Sequence, residues 1–262
     1  MENKKKIIGI IPARMGSSRF PGKPLEKILG MPMIGHVYLR SKMSSALDEV
    51  YIATPDVVIA EYAESIGAKC IMTKNTHERA SDRAAEAVGK IEAESNKKID
   101  IVVMIQGDEP MLIPEMINLS ITPFMEDPAT EVVNLMAPIK TEEEFQDPNC
   151  PKVVIDKNSN ALYFSREALP SRKKWKGDTV PMYKQVCVIP FRRDFLAQYT
   201  DWAPTPLEEI ESIDMNRVLE YGHKVKMVYE EFETYCVDTP EDMRKVGGYM
   251  AEDPLVKTYA QI

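Results

Sequence analysis

An α/β fold on a mixed, mostly parallel sheet is the class this sequence predicts, on three observations. Short runs rich in Val and Ile at Lys6–Pro12, Val50–Thr54 and Ile101–Ile105 read as strands buried on both faces. Helical stretches fall between them at short intervals, the rhythm of right-handed βαβ units. A chain of 262 residues, 44% hydrophobic and 28% charged, is long enough to bury a large core.

The elements follow in order. After the first strand, residues 13–30 form a loop holding Arg14, Arg19 and Lys23 among small residues and prolines. Met33–Met43 carries Ile34, Val37 and the Tyr38/Leu39 pair on one helical face. Val50–Thr54 is the second strand. Asp56–Ile66 is a helix closed by Gly67, and Lys69–Met72 is the third strand. Ser81 is placed to cap a helix reaching Ser95. Ile101–Ile105 ends in Gln106-Gly-Asp-Glu-Pro110, and Pro114 suits the first turn of a further helix. The second half predicts shorter strands at Val132–Met136, Val153–Ile155, Leu162–Phe164 and Gln185–Pro190, with a hairpin turn at Asp156–Asn160. Residues 167–182, with Arg172, Lys173, Lys174 and Lys176, read as a mobile loop. Capping boxes at Thr141/Glu144 and Thr205/Glu208 start two helices, the second running through Met215 towards Tyr221. Val225–Val228 and Tyr235–Val237 read as late strands, and Thr239 starts the final helix.

A formal charge of −8 argues against general nucleic-acid binding, which needs a basic face. The first apolar run is too short for a signal peptide or a membrane span, so a cytoplasmic protein with no membrane partner is expected. Cys70, Cys150, Cys187 and Cys236 have no paired spacing. They read as reduced, buried or half-buried thiols rather than a zinc site. His36 is expected to be structural and His223 to belong to a turn.

Two features point to chemistry. In Ile11-Pro-Ala-Arg-Met-Gly-Ser-Ser-Arg-Phe-Pro-Gly-Lys-Pro-Leu25, Ala13 and Ser18 let backbone N–H groups approach a ligand. Arg14, Arg19 and Lys23 offer charge-assisted bonds to phosphate oxygens. The alternative is a solvated basic loop. Asp108, at the carboxyl end of a buried strand, lies where open α/β sheets bind ligands; the alternative is a turn or helix-capping aspartate. Asp238, in Val237-Asp-Thr-Pro-Glu-Asp242, repeats that arrangement, and two such acids meeting in space suit a Mg²⁺ ion.

The motifs Ile-Pro-Ala-Arg…Ser-Arg-Phe-Pro-Gly-Lys-Pro-Leu, Gln-Gly-Asp-Glu-Pro, Ala161-Leu-Tyr-Phe-Ser-Arg166 and Val-Asp-Thr-Pro-Glu-Asp occur in that order. Together they resemble the 3-deoxy-manno-octulosonate cytidylyltransferase (CMP-Kdo synthetase) family, over roughly residues 6–250. The related CMP-sialate synthetases share the Ile-Pro-Ala-Arg opening but not Arg-Phe-Pro-Gly-Lys-Pro. The resemblance implies a Rossmann-like, nucleotide-diphospho-sugar transferase fold: one domain over 1–262, with a sugar-side and dimer-forming insertion around 150–195. It implies transfer of CMP from CTP to the anomeric hydroxyl of a 3-deoxy-2-ulosonic acid, with pyrophosphate released, for lipopolysaccharide or capsule synthesis. It assigns Arg14, Lys23, Asp108 and Asp238 to catalysis, the two aspartates holding Mg²⁺. Ala13, Ser18, Arg19, Ser81, Arg83 and Gln106 fall to the nucleotide. Gln106, Arg166, Gln185, Asp214 and Met215 fall to the sugar acid.

The chain departs from the family pattern in places. His77-Glu-Arg-Ala-Ser-Asp-Arg83 stands where the family has His-x-Ser-Gly-Thr-Asp/Glu-Arg. Gln185-Val-Cys-Val-Ile-Pro-Phe191 replaces His-Leu-Gly-Ile-Tyr-Gly-Tyr, and Asp214-Met215 replaces Glu-Gln. Loss of hydroxyl-bonding groups on the sugar side predicts a changed acceptor, because such pockets discriminate through paired polar groups. The rival readings are a nucleotidyltransferase for a different acidic acceptor, a glycosyltransferase of similar topology, and a non-catalytic sugar-nucleotide sensor. No Asp-x-Asp triplet occurs, which disfavours the glycosyltransferase. Intact Lys23, Asp108 and Asp238 disfavour the sensor.

Overall fold

The computed structural model describes residues 4–16, 20–177 and 180–260. They divide into two compact units, Met1–Asn118 with Thr234–Ile262, and Leu119–Glu233. The expected insertion at 150–195 falls inside the second unit.

In the first unit the chain runs β1 (Ile7–Pro12), the small hairpin β2 (Lys27–Ile28) and β3 (Met31–Pro32), α1 (Met33–Lys42), β4 (Glu49–Thr54), α2 (Val57–Ser65), β5 (Lys69–Met72), α3 (Ala80–Ser95) and β6 (Ile101–Ile105), and then enters α4 (Pro114–Ser120). The strands lie in the order β5-β4-β1-β6, and every one of these pairings is parallel. Ile8, Ile10 and Ile11 of β1 and Ile101 to Met104 of β6 are fully buried, as runs of Val and Ile covered on both faces require. Register Ile7↔Ile101 brings the carboxyl ends of β1 and β6 to one sheet edge, so the loops at 13–25 and 106–110 start side by side.

The second unit holds α5 (Thr122–Glu126), β7 (Val132–Pro138), α6 (Glu142–Gln146), β8 (Lys152–Ile155), β9 (Ala161–Ser165), β10 (Tyr183–Val186), β11 (Val188–Arg192), α7 (Arg193–Asp201), α8 (Pro206–Glu211), α9 (Met215–Glu220) and β12 (Val225–Tyr229). Here the sheet is mixed. β7 pairs antiparallel with β10 and β11 and parallel with β12. β8 joins β10 to β9. The predicted hairpin stands: Asp156 Oδ1 accepts from the N–H groups of Asn158 and Asn160, both at 2.8 Å.

The chain returns to the first unit through α10 (Pro240–Glu252) and α11 (Val256–Tyr259). Ile28 and Met33 pack with Val237, Val246, Met250 and Val256. Buried Arg40 donates from Nη2 to Asp253 at 2.5 Å and from Nε to the Tyr259 hydroxyl at 2.8 Å. His36 is structural as expected, fully buried between the Ile28 carbonyl and Tyr259.

Several local expectations are corrected. Ser81 does not cap α3. The helix starts one residue earlier, at Ala80, and leaves Ser81 buried in its first turn. The helix expected from Thr205 through Met215 breaks at Ser212, whose φ of 53° is left-handed and ends α8 before α9 begins. Tyr235–Val237 is not a strand. α7 directly follows β11, where hydrophobic periodicity alone did not mark a helix.

Candidate active site

Three of the expected residues, Lys23, Asp108 and Asp238, meet at the sheet edge of the first unit. Ala13 continues β1 by donating its N–H to the Ala53 carbonyl at 2.9 Å. Asp56 accepts from the Met15 N–H at 2.8 Å. Gly22, at φ 77°, returns its N–H to the Met15 carbonyl; that left-handed conformation suits glycine. This reversal delivers Lys23, in a single 3-10 turn (Lys23–Leu25), towards the loop after β6. Gly107 keeps that loop against β1, since a Cβ there would lie 3.3 Å from the Pro12 carbonyl oxygen and 3.2 Å from Ile34 Cδ1.

Lys23 Nζ donates to Asp108 Oδ2 at 3.2 Å and to the Val237 carbonyl at 2.6 Å, and lies 3.6 Å from Asp238 Oδ1. The Val237 N–H in turn donates to the Asp108 carbonyl at 2.9 Å, joining the two acid-bearing segments through the backbone. Asp242, four residues on, is occupied otherwise. Its Oδ2 accepts from the N–H groups of Asp238 and Thr239 in the cap of α10. The cap therefore separates the two aspartates of this motif, Asp242 holding the helix start and Asp238 facing Lys23. Burial lowers the Lys23 pKa, but the neighbouring charges of Asp108, Cys236 and Asp238 outweigh it, so the ammonium is held above its ordinary value.

Asp108 Oδ1 is buried with no hydrogen-bond partner. A buried, orphaned carboxylate oxygen is costly unless something occupies it. One ligand atom each from Asp108, Asp238 and Cys236 lie within 4.8 Å of one another. Two hard carboxylates with a vacant lone pair fit a divalent cation such as Mg²⁺. The thiol was not foreseen as part of the site. Its one sequence signal was its place two residues before Asp238.

The remaining nucleotide-side residues divide. Arg14 is exposed; burial first and then Arg14 lower the pKa of Arg83, while the charges of Asp56 and Glu86 act against that shift. Arg83 itself is largely committed. It donates to the Thr73 hydroxyl at 2.6 Å, to the Lys74 carbonyl at 3.1 Å and to the His77 carbonyl at 3.2 Å, clamping its own loop. His77 and Lys90 flank Glu86 at 2.5 and 2.9 Å. Ser81 is buried and Gln106 half-buried. Ser18 and Arg19 lie outside the described residues.

In the second unit, the Arg166 guanidinium serves structure more than a ligand. It donates to the carbonyls of Glu211 at 2.6 Å, Pro148 at 2.8 Å and Ser212 at 3.3 Å. Glu211, unforeseen, gathers Tyr163, Ser165 and the Arg166 N–H around its carboxylate. Gln185 Nε2 donates to Oδ1 of buried Asn134 at 2.6 Å. Met215 and Ile189 are buried in the core of this unit. Asp214 precedes Met215 at the start of α9, its carbonyl accepting from the Tyr199 hydroxyl at 3.3 Å. In the loop expected to be mobile, Arg172 pairs with Glu142 through both terminal nitrogens at 2.6 and 2.7 Å.

A lysine between two carboxylates at the carboxyl edge of a parallel sheet suits transfer of a nucleotidyl group from a metal-bound triphosphate. The cytidylyltransferase family matches residues 8–228. A 3-deoxy-manno-octulosonate cytidylyltransferase of Pelobacter propionicus is 43% identical over 91% of this chain and 95% of its own length. One from Geobacter metallireducens is 42% identical over 92% and 96%. A solved CMP:2-keto-3-deoxy-manno-octonic acid synthetase complexed with CTP superposes with a TM-score of 0.85 at 35% identity, covering 95% of this chain and 99% of that one. The chain belongs to the 3-deoxy-manno-octulosonate cytidylyltransferase family. The expected Rossmann-like α/β fold class, the family and the enzyme class all stand. Among the described residues no helix is long and apolar enough to cross a membrane.

Proposed function

We propose that this enzyme transfers CMP from CTP to the anomeric hydroxyl of a 3-deoxy-2-ulosonic acid, Kdo or a Kdo-like variant, and releases pyrophosphate. The observation supporting the chemistry is the Lys23–Asp108–Asp238 cluster with its orphaned Asp108 oxygen. Arg14 and Lys23 bind the triphosphate and neutralise the charge that grows on departing pyrophosphate. Asp108 and Asp238 would hold Mg²⁺, which when bound would supply charge neutralisation at the phosphates and a lowered pKa for the sugar hydroxyl. No side chain acts as a nucleophile; the residues position the hydroxyl in line with the α-phosphorus and shield charge. The activity for which the relatives are named, and the CTP complexed with the solved relative, support this substrate pair. The enzyme would work in the cytoplasm as a homodimer, supplying surface polysaccharide synthesis.

A second reading concerns the acceptor alone. Gln185 is bonded to Asn134, and Ile189 and Met215 are buried and apolar. These side chains offer little to sugar hydroxyls, which favours a modified ulosonic acid over Kdo itself. Pyrophosphate release measured over a panel of acceptors, amino-substituted ulosonic acids included, tests both readings. Release must depend on CTP, Mg²⁺ and acceptor together, and vanish in Asp108→Ala and Asp238→Ala. Full turnover of Kdo would reject the second reading, and no release with any ulosonic acid would reject the first.

A further inference from the structure

We infer that Cys236 turns the Asp108/Asp238 site into a mixed oxygen–sulfur site that takes thiophilic divalent cations such as Zn²⁺ or Cd²⁺ in preference to Mg²⁺. The inference rests on the reading that the two aspartates hold a divalent cation. Its further content belongs to this chain's own thiol.

Ligand atoms of Asp108, Asp238 and Cys236 lie within 4.8 Å of one another. Ligands sharing one zinc ion, with bonds of about 2.0–2.3 Å, sit at most roughly 4.5 Å apart. Small side-chain rotations therefore bring all three onto one ion. The backbone is already set, because the Val237 N–H bonds the Asp108 carbonyl and Val237 lies between Cys236 and Asp238. The thiol is exposed, so an arriving ion reaches it directly. The independent sign that something is held here is the buried Asp108 Oδ1, which has no hydrogen-bond partner.

Ligand chemistry then separates the cations. Mg²⁺ demands oxygen ligands and keeps waters, so it uses the carboxylates and ignores the sulfur. Softer ions gain from a thiolate, and its proton leaves to solvent as the metal binds. A soft cation held by the two carboxylates and the thiolate would occupy the same acids as Mg²⁺ and so compete with it.

The test is a Cd²⁺ titration of the whole protein, followed by the sulfur-to-cadmium charge-transfer absorbance, with Zn²⁺ and Mg²⁺ affinities measured by calorimetry. The other thiols are half-buried, and burial pushes Cys70 and Cys150 up to about 11, so Cys236 should answer first. Wild type is expected to show the band at the first equivalent. Cys236→Ser should lose it and lower the ratio of Zn²⁺ to Mg²⁺ affinity at least tenfold. The double variant Asp108→Asn/Asp238→Asn should lose the band while Cys236 remains, with circular dichroism confirming its fold. A band that survives in Cys236→Ser, or in the double aspartate variant, overturns the inference, as does an unchanged affinity ratio. Failure of the functional reading would register separately, as absent pyrophosphate release under Mg²⁺ with the cadmium band intact.

Discussion

Replacing Lys23 by Met should tighten divalent-cation binding and at the same time impair turnover. The ammonium stands 3.2 Å from Asp108 Oδ2 and 3.6 Å from Asp238 Oδ1. At an effective dielectric near 20, each contact is about 5 kcal/mol of gross Coulomb attraction. Hydration of the partly exposed carboxylates removes most of that, and charged hydrogen bonds net about 1.5–3 kcal/mol. A cation entering the wild-type site competes with this ammonium; in Lys23→Met it does not. Relief of about 2 kcal/mol corresponds to roughly 30-fold tighter binding. Turnover should nevertheless fall by about 10²–10³, the usual cost of losing one preorganised group at a developing charge. Mn²⁺ affinity, followed by the paramagnetic resonance of the free ion, and pyrophosphate release give the two halves. Thermal melting with and without Mn²⁺ adds a third reading, because the variant should gain more stability from the ion than wild type does. Unchanged or weaker Mn²⁺ binding, or turnover within threefold of wild type, would refute the reasoning.

Asp238→Asn should lower pyrophosphate release at least about 100-fold with little change in melting temperature. Asp242→Asn, which weakens the cap of α10, should cost about 0.5–2 kcal/mol of stability and leave most activity; the reverse pattern would reject the division of roles. Glu208→Gln strips the charge from a buried pair in which Arg217 Nε and Nη2 each sit 2.6 Å from the carboxylate. A loss of about 3–5 kcal/mol is expected, visible as a lowered urea midpoint, and a loss below about 1 kcal/mol would contradict it. Glu86 gives a pH signature. Burial would raise its pKa, but bonds from Lys90, the Lys74 N–H and His77 override it and hold the carboxyl at about 2. A depressed carboxyl stabilises the fold above its ordinary pKa, near 4.5, and that stabilisation drains away as pH falls towards about 2. Urea midpoints of Glu86→Gln should therefore fall less steeply than wild type between those values; parallel curves would count against the network.

How much of this was legible in the sequence depends on the range of the interaction. β1, β4 and β6 were readable because burial on both faces leaves an unmistakable run of Val and Ile. Asp108 was readable because it follows such a strand at its carboxyl end, where open α/β sheets bind ligands. Its meeting with Asp238 rests on packing of Val237, Val246 and Met250 against Ile28 and Met33, a contact that no local spacing encodes. Ser212 misled because a left-handed serine ends α8 without the glycine that usually announces such a stop. The carbonyls that Arg166 and Arg83 bond were not legible, because a sequence shows a charge but not the backbone groups the fold brings to it. Cys236 was passed over for a similar reason: as a thiol with no cysteine partner nearby in sequence, its neighbours are the two acids brought in by the fold.

The hydrogen bond from the Val237 N–H to the Asp108 carbonyl also orders events in time. The acids it links are 130 residues apart, and the whole second unit is encoded between them. At roughly 5–20 residues per second, a ribosome that has delivered Asp108 needs on the order of ten seconds to deliver Asp238. Throughout that interval the nascent chain carries Lys23 and one carboxylate, but not the second acid needed to hold an ion. On the proposed reading, a cation site that needs both acids would be complete only once this last segment has docked.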